Sequence, residues 1–155
     1  MTLGTILALF SIGIAVGLPG YGSSYGVGLV GEAGAGVVSE NPDKFGQILL
    51  LQIVPGTQGI YGVLAGLMIM LRAGFLSGSI PSFTVLEGVA YIMAALPIGF
   101  VGWVSAIYQG RVAAAGVGII AKKPNEMGKA ILFAAMVETY AILSLLVSLL
   151  LIIRL

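Results

Sequence analysis

The chain has 155 residues, of which 59% are hydrophobic and 8% charged, with a formal net charge of +1 and a mean hydropathy of +1.12. A soluble domain spends about a quarter of its residues on charge to coat its surface, so this composition excludes a freely soluble protein and points to a lipid bilayer. The absence of Cys and His excludes disulfides, thiol chemistry, the usual zinc sites and histidine acid–base catalysis, and without a Lys/Arg cluster nothing suggests nucleic acid.

Three polar breaks, each holding a proline that cannot continue a helix interior, divide four apolar segments near 3–38, 45–73, 83–121 and 127–154. Each segment exceeds the ~20 residues that cross ~30 Å of hydrocarbon. Backbone groups in lipid must be satisfied within the segment, so all four are predicted to be transmembrane helices. The first segment has no positive n-region before it and no clear small-residue cleavage site after it, and reads as a retained helix rather than a signal peptide. Its Gly26-Val-Gly28-Leu-Val-Gly31 run matches a dinucleotide fingerprint in letters only. That motif must follow a strand and open a helix, and here it lies deep in an apolar segment. Glu32, toward the end of the same segment, is placed to snorkel or pair.

The break Ser39-Glu40-Asn41-Pro42-Asp43-Lys44 leads into the second segment, which is interrupted by Pro55-Gly56-Thr57-Gln58, with Tyr61 one turn later. Thr57, Gln58 and Tyr61 share one helical face by their spacing. Pro55 is expected to kink the helix and free a carbonyl oxygen, by the helix rule that of Leu51. After the break Ser77-Gly78-Ser79-Ile80-Pro81-Ser82 comes Glu87, near the outer interface. The third segment then carries Ala106, Gly110, Ala114 and Gly118 at four-residue spacing, a pattern that lets helix backbones approach closely. Its Arg111 reads, like Glu32, as a peripheral charge. The break Lys122-Lys123-Pro124-Asn125-Glu126 opens the fourth segment, where Glu138 stands nine residues past Lys129 and sixteen before Arg154.

Lys44, Lys122, Lys123 and Lys129 flank the first and third breaks. The positive-inside bias therefore puts the loops near 39–44 and 122–126 in the cytoplasm and both termini outside. The halves also repeat. Adding 82 to a position carries Gly28 to Gly110, Gly34 to Gly116, Pro42 to Pro124, Gly46 to Gly128, Thr57 to Thr139 and Arg72 to Arg154 without gaps. The expected fold is all-α, four transmembrane helices in two tandem parallel-repeat hairpins, residues 1–73 and 74–155. Parallel copies differ from the inverted repeats of many secondary transporters.

Glu138 cannot reach water by snorkelling, and a carboxylate at that depth costs several kcal/mol unless it is protonated or paired with a cation. The repeat sets Gly56 opposite Glu138, so the first copy lacks the acid and Thr57–Gln58 lie at the acid's depth. Gln109, fifteen residues before Pro124 as Thr57 is fifteen after Pro42, sits at a similar level. One carboxylate, two amide oxygens, a hydroxyl and a freed carbonyl suit a hard monovalent cation, whereas Mg²⁺ or Ca²⁺ usually demands more carboxylates or waters.

Pro55-Gly-Thr-Gln-Gly-Ile-Tyr-Gly62, Tyr108-Gln-Gly-Arg-Val-Ala-Ala-Ala-Gly116 and Phe133-Ala-Ala-Met-Val-Glu-Thr-Tyr-Ala141 resemble the proteolipid (K or c) subunit of V-type ATPases. The similarity is strongest to the duplicated, four-helix form of bacterial sodium pumps. The resemblance implies a non-catalytic subunit in a homo-oligomeric rotor ring, with the first and third helices inside and the second and fourth outside. Its implied partners are a stator membrane subunit, a central-stalk subunit and the bilayer. It implies a Na⁺ site formed by Glu138, Thr57, Gln58, Gln109 and the Val54 carbonyl, with Tyr61 hydrogen-bonded to the acid, and H⁺ as the alternative cargo. Arg111 stands where relatives carry Lys, a change that keeps the charge. A small proton-coupled multidrug exporter and a purely structural membrane protein are the competing readings. The parallel repeat and the missing acid in the first copy count against the exporter.

Overall fold

A computed structural model describes all 155 residues, and its regular elements are all helical. Four helices are long and apolar enough to cross a membrane: Leu3–Glu40, Pro42–Arg72, Val85–Lys122 and Pro124–Arg154. The reversals after the first and third helices are built alike. Pro42 opens a tight 3₁₀ turn, Pro42–Lys44, and Pro124 opens its counterpart, Pro124–Glu126. In both the proline occupies an early helical position, where its missing N–H costs nothing. Between the second and third helices the chain turns through Gly74 and Gly78, both at positive φ, a conformation open to residues without a Cβ.

The first and third helices meet backbone to backbone. A Cβ on Gly110 would run into the Cα of Gly26, and one on Gly26 would lie 2.6 Å from the carbonyl oxygen of Ala106. One turn earlier, Gly22 rests on the backbone of Trp103. Larger side chains would hold the helices apart, so the small residues set their separation. Around this seam lie two apolar clusters. One includes Ala15, Ala65, Ala95 and Ile98, and the other Val30, Leu51, Ile120 and Ala134. The outward face of the fourth helix is apolar and exposed, with Leu132, Phe133, Met136, Leu143 and Leu150 on it, as contact with lipid tails requires.

Three prolines within the helices behave differently. Pro19 lies inside the first helix, which continues through it, and is fully buried. Pro97 opens a π turn, Pro97–Val101, between the α-helical runs Val85–Leu96 and Gly102–Lys122. There the Ile98 N–H donates to Ser148 Oγ of the fourth helix at 3.1 Å. At Pro55 the helix tightens into a 3₁₀ turn, Val54–Gly56, between Phe45–Ile53 and Thr57–Arg72. The peripheral charges have local partners: Glu87 completes a capping box with Thr84, and the Arg111 guanidinium lies over the Tyr108 ring, 5.4 Å from its centroid. Glu32 is exposed. The Gly26–Gly31 run lies within the first helix, far from any strand-to-helix turn.

Ser148→Ala removes the acceptor of a buried N–H and is expected to cost about 1–3 kcal/mol. A lowered thermal midpoint of the purified protein in detergent, with Ser148→Thr retaining most of the stability, checks this.

Candidate functional site

Between the two apolar clusters three helices contribute polar side chains to one network. From the fourth helix, Glu138 Oε1 accepts the Tyr61 hydroxyl at 2.5 Å, and Oε2 accepts Gln109 Nε2 at 3.2 Å. Gln109 Nε2 also donates to the Ala134 carbonyl at 3.1 Å. Gln109 Oε1 accepts Gln58 Nε2 at 2.5 Å. A relay thus runs from the second helix through the third to the acid on the fourth. Gln58 and Gln109 are both fully buried, and leaving either amide without a partner would cost about 1–3 kcal/mol.

The turn at Pro55 presents the remaining oxygens. In the 3₁₀ geometry the Val54 carbonyl accepts the Thr57 N–H and also the Thr57 hydroxyl at 3.1 Å. Thr57 Oγ1 in turn lies 3.4 Å from Gln58 Oε1. Three oxygens, Val54 O, Thr57 Oγ1 and Gln58 Oε1, therefore stand in succession where the run Thr57–Arg72 of the second helix begins. Pro55 has no N–H to give the Leu51 carbonyl, and the carbonyl that meets the Thr57 hydroxyl is that of Val54. Tyr61 and Glu138 are only half-buried, which sets the acid at the outer edge of the bundle between the second and fourth helices.

Every candidate residue, Glu138, Thr57, Gln58, Gln109, Val54 and Tyr61, falls in this network. Gln109 differs in orientation from a simple ligand: it turns its nitrogen to Glu138 and its oxygen to Gln58. Two serines that sequence spacing had not singled out lie in the same layer, and Ser105 joins the network. Ser105 Oγ accepts Gln58 Nε2 at 3.3 Å and donates to the Val137 carbonyl at 3.0 Å. Ser23 Oγ accepts the Gly59 N–H at 2.8 Å. The signal that could have found them is that Ser105 precedes Gln109 by one helical turn and is the repeat counterpart of Ser23. No group of three or more His, Cys, Asp and Glu side chains is assembled anywhere in the chain, so Glu138 stands as a single acid among neutral oxygens and nitrogens. Such a set can balance one positive charge.

The family model for the C subunit of ATP synthase matches residues 10–69 and again residues 92–151. This chain belongs to the ATP synthase C-subunit family. Both ends of the second match lie 82 residues beyond those of the first, the same interval that relates the glycines, prolines and arginines of the two halves. Over 151 residues the chain is 45% identical to the K subunit of the V-type sodium ATPase of Enterococcus hirae, covering 97% of this chain and 93% of the relative. It is 40% identical over 148 residues to the K subunit of the A-type ATP synthase of Methanocaldococcus jannaschii, covering 96% of this chain and 62% of that one. The c subunit of the V-type proton ATPase of Candida tropicalis is 33% identical over 61 residues, 39% of this chain and 38% of its own. As a member of this family the chain is a duplicated proteolipid and a non-catalytic membrane subunit of an ATPase complex.

Tyr61→Phe deletes the hydroxyl that donates to Glu138 Oε1 and covers the carboxyl at the outer edge of the bundle. Carbodiimide modification of Glu138 is expected to accelerate severalfold, read by mass spectrometry of the labelled chain at constant pH and salt.

Proposed function

We propose that the chain is the ion-carrying subunit of a rotor ring in a V-type ATPase, loading Na⁺ at Glu138 and carrying it across the membrane by rotation. The observation that carries this reading is the convergence of a single mid-membrane carboxylate with the Thr57, Gln58, Gln109 and Val54 groups. In the proposed site, Glu138 supplies the one negative charge. Val54 O, Thr57 Oγ1 and Gln58 Oε1 supply neutral oxygens, and a half-turn of the Gln109 amide adds another. Tyr61, donating to the carboxylate from the lipid side, holds it over the ion. A bare charge near the membrane centre costs at least ~2.5–3.5 kcal/mol, so the loaded, neutral site is the form suited to travel through lipid.

Unloading requires a rival positive charge, supplied by a stator subunit, which draws the carboxylate away and releases the ion into an access path. Rotation then brings the emptied site to the opposite path. The chain has no nucleotide site of its own, so the torque comes from a separate soluble sector through a central-stalk subunit. Residues 1–73 and 74–155 form the two hairpins in this reading, with the loops near 39–44 and 122–126 cytoplasmic and both termini outside. Sodium is favoured over H⁺ because a proton needs only the carboxyl, while this site surrounds the acid with oxygens suited to a metal ion. The name of the Enterococcus hirae relative, which aligns over nearly the whole chain, supports the same choice.

Carbodiimide labelling of Glu138 in the assembled complex is expected to be suppressed by Na⁺ at millimolar levels, with more Na⁺ required as the pH falls and protons compete. Gln109→Leu and Thr57→Val should each raise the Na⁺ needed for half-protection by at least tenfold while the assembled ring persists. Labelling that follows pH alone and ignores Na⁺ would assign the rotor to H⁺.

A further inference from the structure

An apolar groove of about 490 Å³ opens on the flank of the second hairpin, beside the third and fourth helices. Its lining has a counterpart in the first hairpin, residue by residue, at the repeat interval. Val101, Val104 and Ser105 of the groove correspond to Pro19, Gly22 and Ser23. Tyr108, Val137 and Tyr140 correspond to Gly26, Pro55 and Gln58. Those six counterparts are all buried, because they form the socket into which the third helix packs. Gly22 meets Trp103 and Ala106, Gly26 meets Ala106 and Gly110, and Gln58 meets Ser105 and Gln109. The second hairpin thus displays an open copy of a socket that is filled within the chain.

The plug has a copy as well. Subtracting the same interval from Gly102, Trp103, Ala106 and Gly110 gives Gly20, Tyr21, Ser24 and Gly28 on the first helix. Nothing lies within 4 Å of a Cβ built on Gly20 or Gly28, and Tyr21 and Ser24 are exposed. Socket and plug sit on opposite flanks of one chain and point the same way across the membrane. A head-to-tail contact of this kind closes into a ring when its rotation permits.

We infer that the groove at Tyr108 and Tyr140 receives the first helix of the next copy, with Tyr108 seated on that copy's Gly28 as Gly26 seats on Gly110 within the chain. The inference rests on the ring reading above and adds to it the register of the contact. It also separates two interfaces chemically. At the contact inside the chain stand Gln58, Gln109 and Glu138. Their counterparts between copies are Tyr140, Val27 and Gly56, with no acid and no amide. The seam between copies therefore carries hydroxyls and the Arg111 guanidinium over Tyr108 but no carboxylate, and each chain contributes one ion site, enclosed within its own two hairpins. Where the inner contact pairs glycine with glycine, the outer one pairs a tyrosine with a glycine, so Gly28 is left without a side chain to admit the Tyr108 ring.

The register also says which open glycines stay open. Gly36 and its counterpart Gly118, like Gly46 and Gly128, all have nothing within 4 Å of an added Cβ, so neither pair faces a neighbouring hairpin on either flank.

The natural chain has no cysteine, so engineered pairs report alone. Full-length Gly28→Cys/Tyr108→Cys protein, oxidised with copper phenanthroline in membranes, is expected to give a covalent ladder of multimers. Either single variant, and the Gly46→Cys/Gly128→Cys pair, should give none. Gly28→Leu is expected to abolish the ring on native mass spectrometry while the chain keeps its helical circular dichroism, and Gly36→Leu should leave the ring intact. A wild-type ring with no 28–108 ladder, or an intact Gly28→Leu ring, overturns the register and leaves the rotor reading standing. A wild-type chain that never assembles overturns both.

Discussion

A carboxylate halfway through a membrane has no water to lean on, and the rest of this molecule is organised around that fact. In the hydrocarbon interior the charge must be neutralised or hydrogen-bonded by groups the protein brings to it. Glu138 draws one donor from the second helix and one from the third, and the third-helix amide is itself held by Gln58. These side chains reach one another because the first and third helices touch through Gly26 and Gly110, which brings the surrounding helices within bridging distance. Small residues at the seam and polar residues in the network are two parts of one device.

Duplication explains the economy of the arrangement. Two hairpins of the same plan share the same 3₁₀ reversals at Pro42 and Pro124 but differ at the polar layer. Glu138 stands in one copy and Gly56 in the other, while Gln109 has the apolar counterpart Val27. An acid in both copies would have placed two like charges in each chain, each needing its own compensation. With a single acid, the first hairpin supplies the Val54, Thr57 and Gln58 oxygens and the Tyr61 hydroxyl to the network, while the second supplies the carboxylate. The serine pair Ser23 and Ser105 survives in both copies because each satisfies a polar group on a packed helix, a need that does not depend on the acid.

The prolines show how a helix in lipid tolerates interruption. Each removes a backbone donor, and an unsatisfied carbonyl or amide has no water to turn to. Tightening to 3₁₀ at Pro55 places the Val54 carbonyl against Thr57, so the distortion generates part of the candidate site. Loosening to a π turn at Pro97 leaves the Ile98 amide to Ser148, a purely structural repair. The same residue type serves the site in one hairpin and the packing in the other.

Four spans, their approximate ends, the tandem repeat and the isolation of Glu138 were all legible in the chain. They depend on hydropathy, proline placement and residue order, which are properties of the covalent sequence and need no knowledge of packing. The members of the network were legible as well, through depth in the repeat and helical spacing. Their connections were not. Which amide end faces the acid and which groups Ser105 and Ser23 meet follow from how neighbouring helices are rotated and how closely they approach. Periodicity is silent on both, since it places a residue on its own helix and says nothing of the helix opposite. Glu138 could be identified from the sequence as a charge in need of partners. Only the packed bundle, with its glycine seam and tightened turn, determined which atoms answer that need.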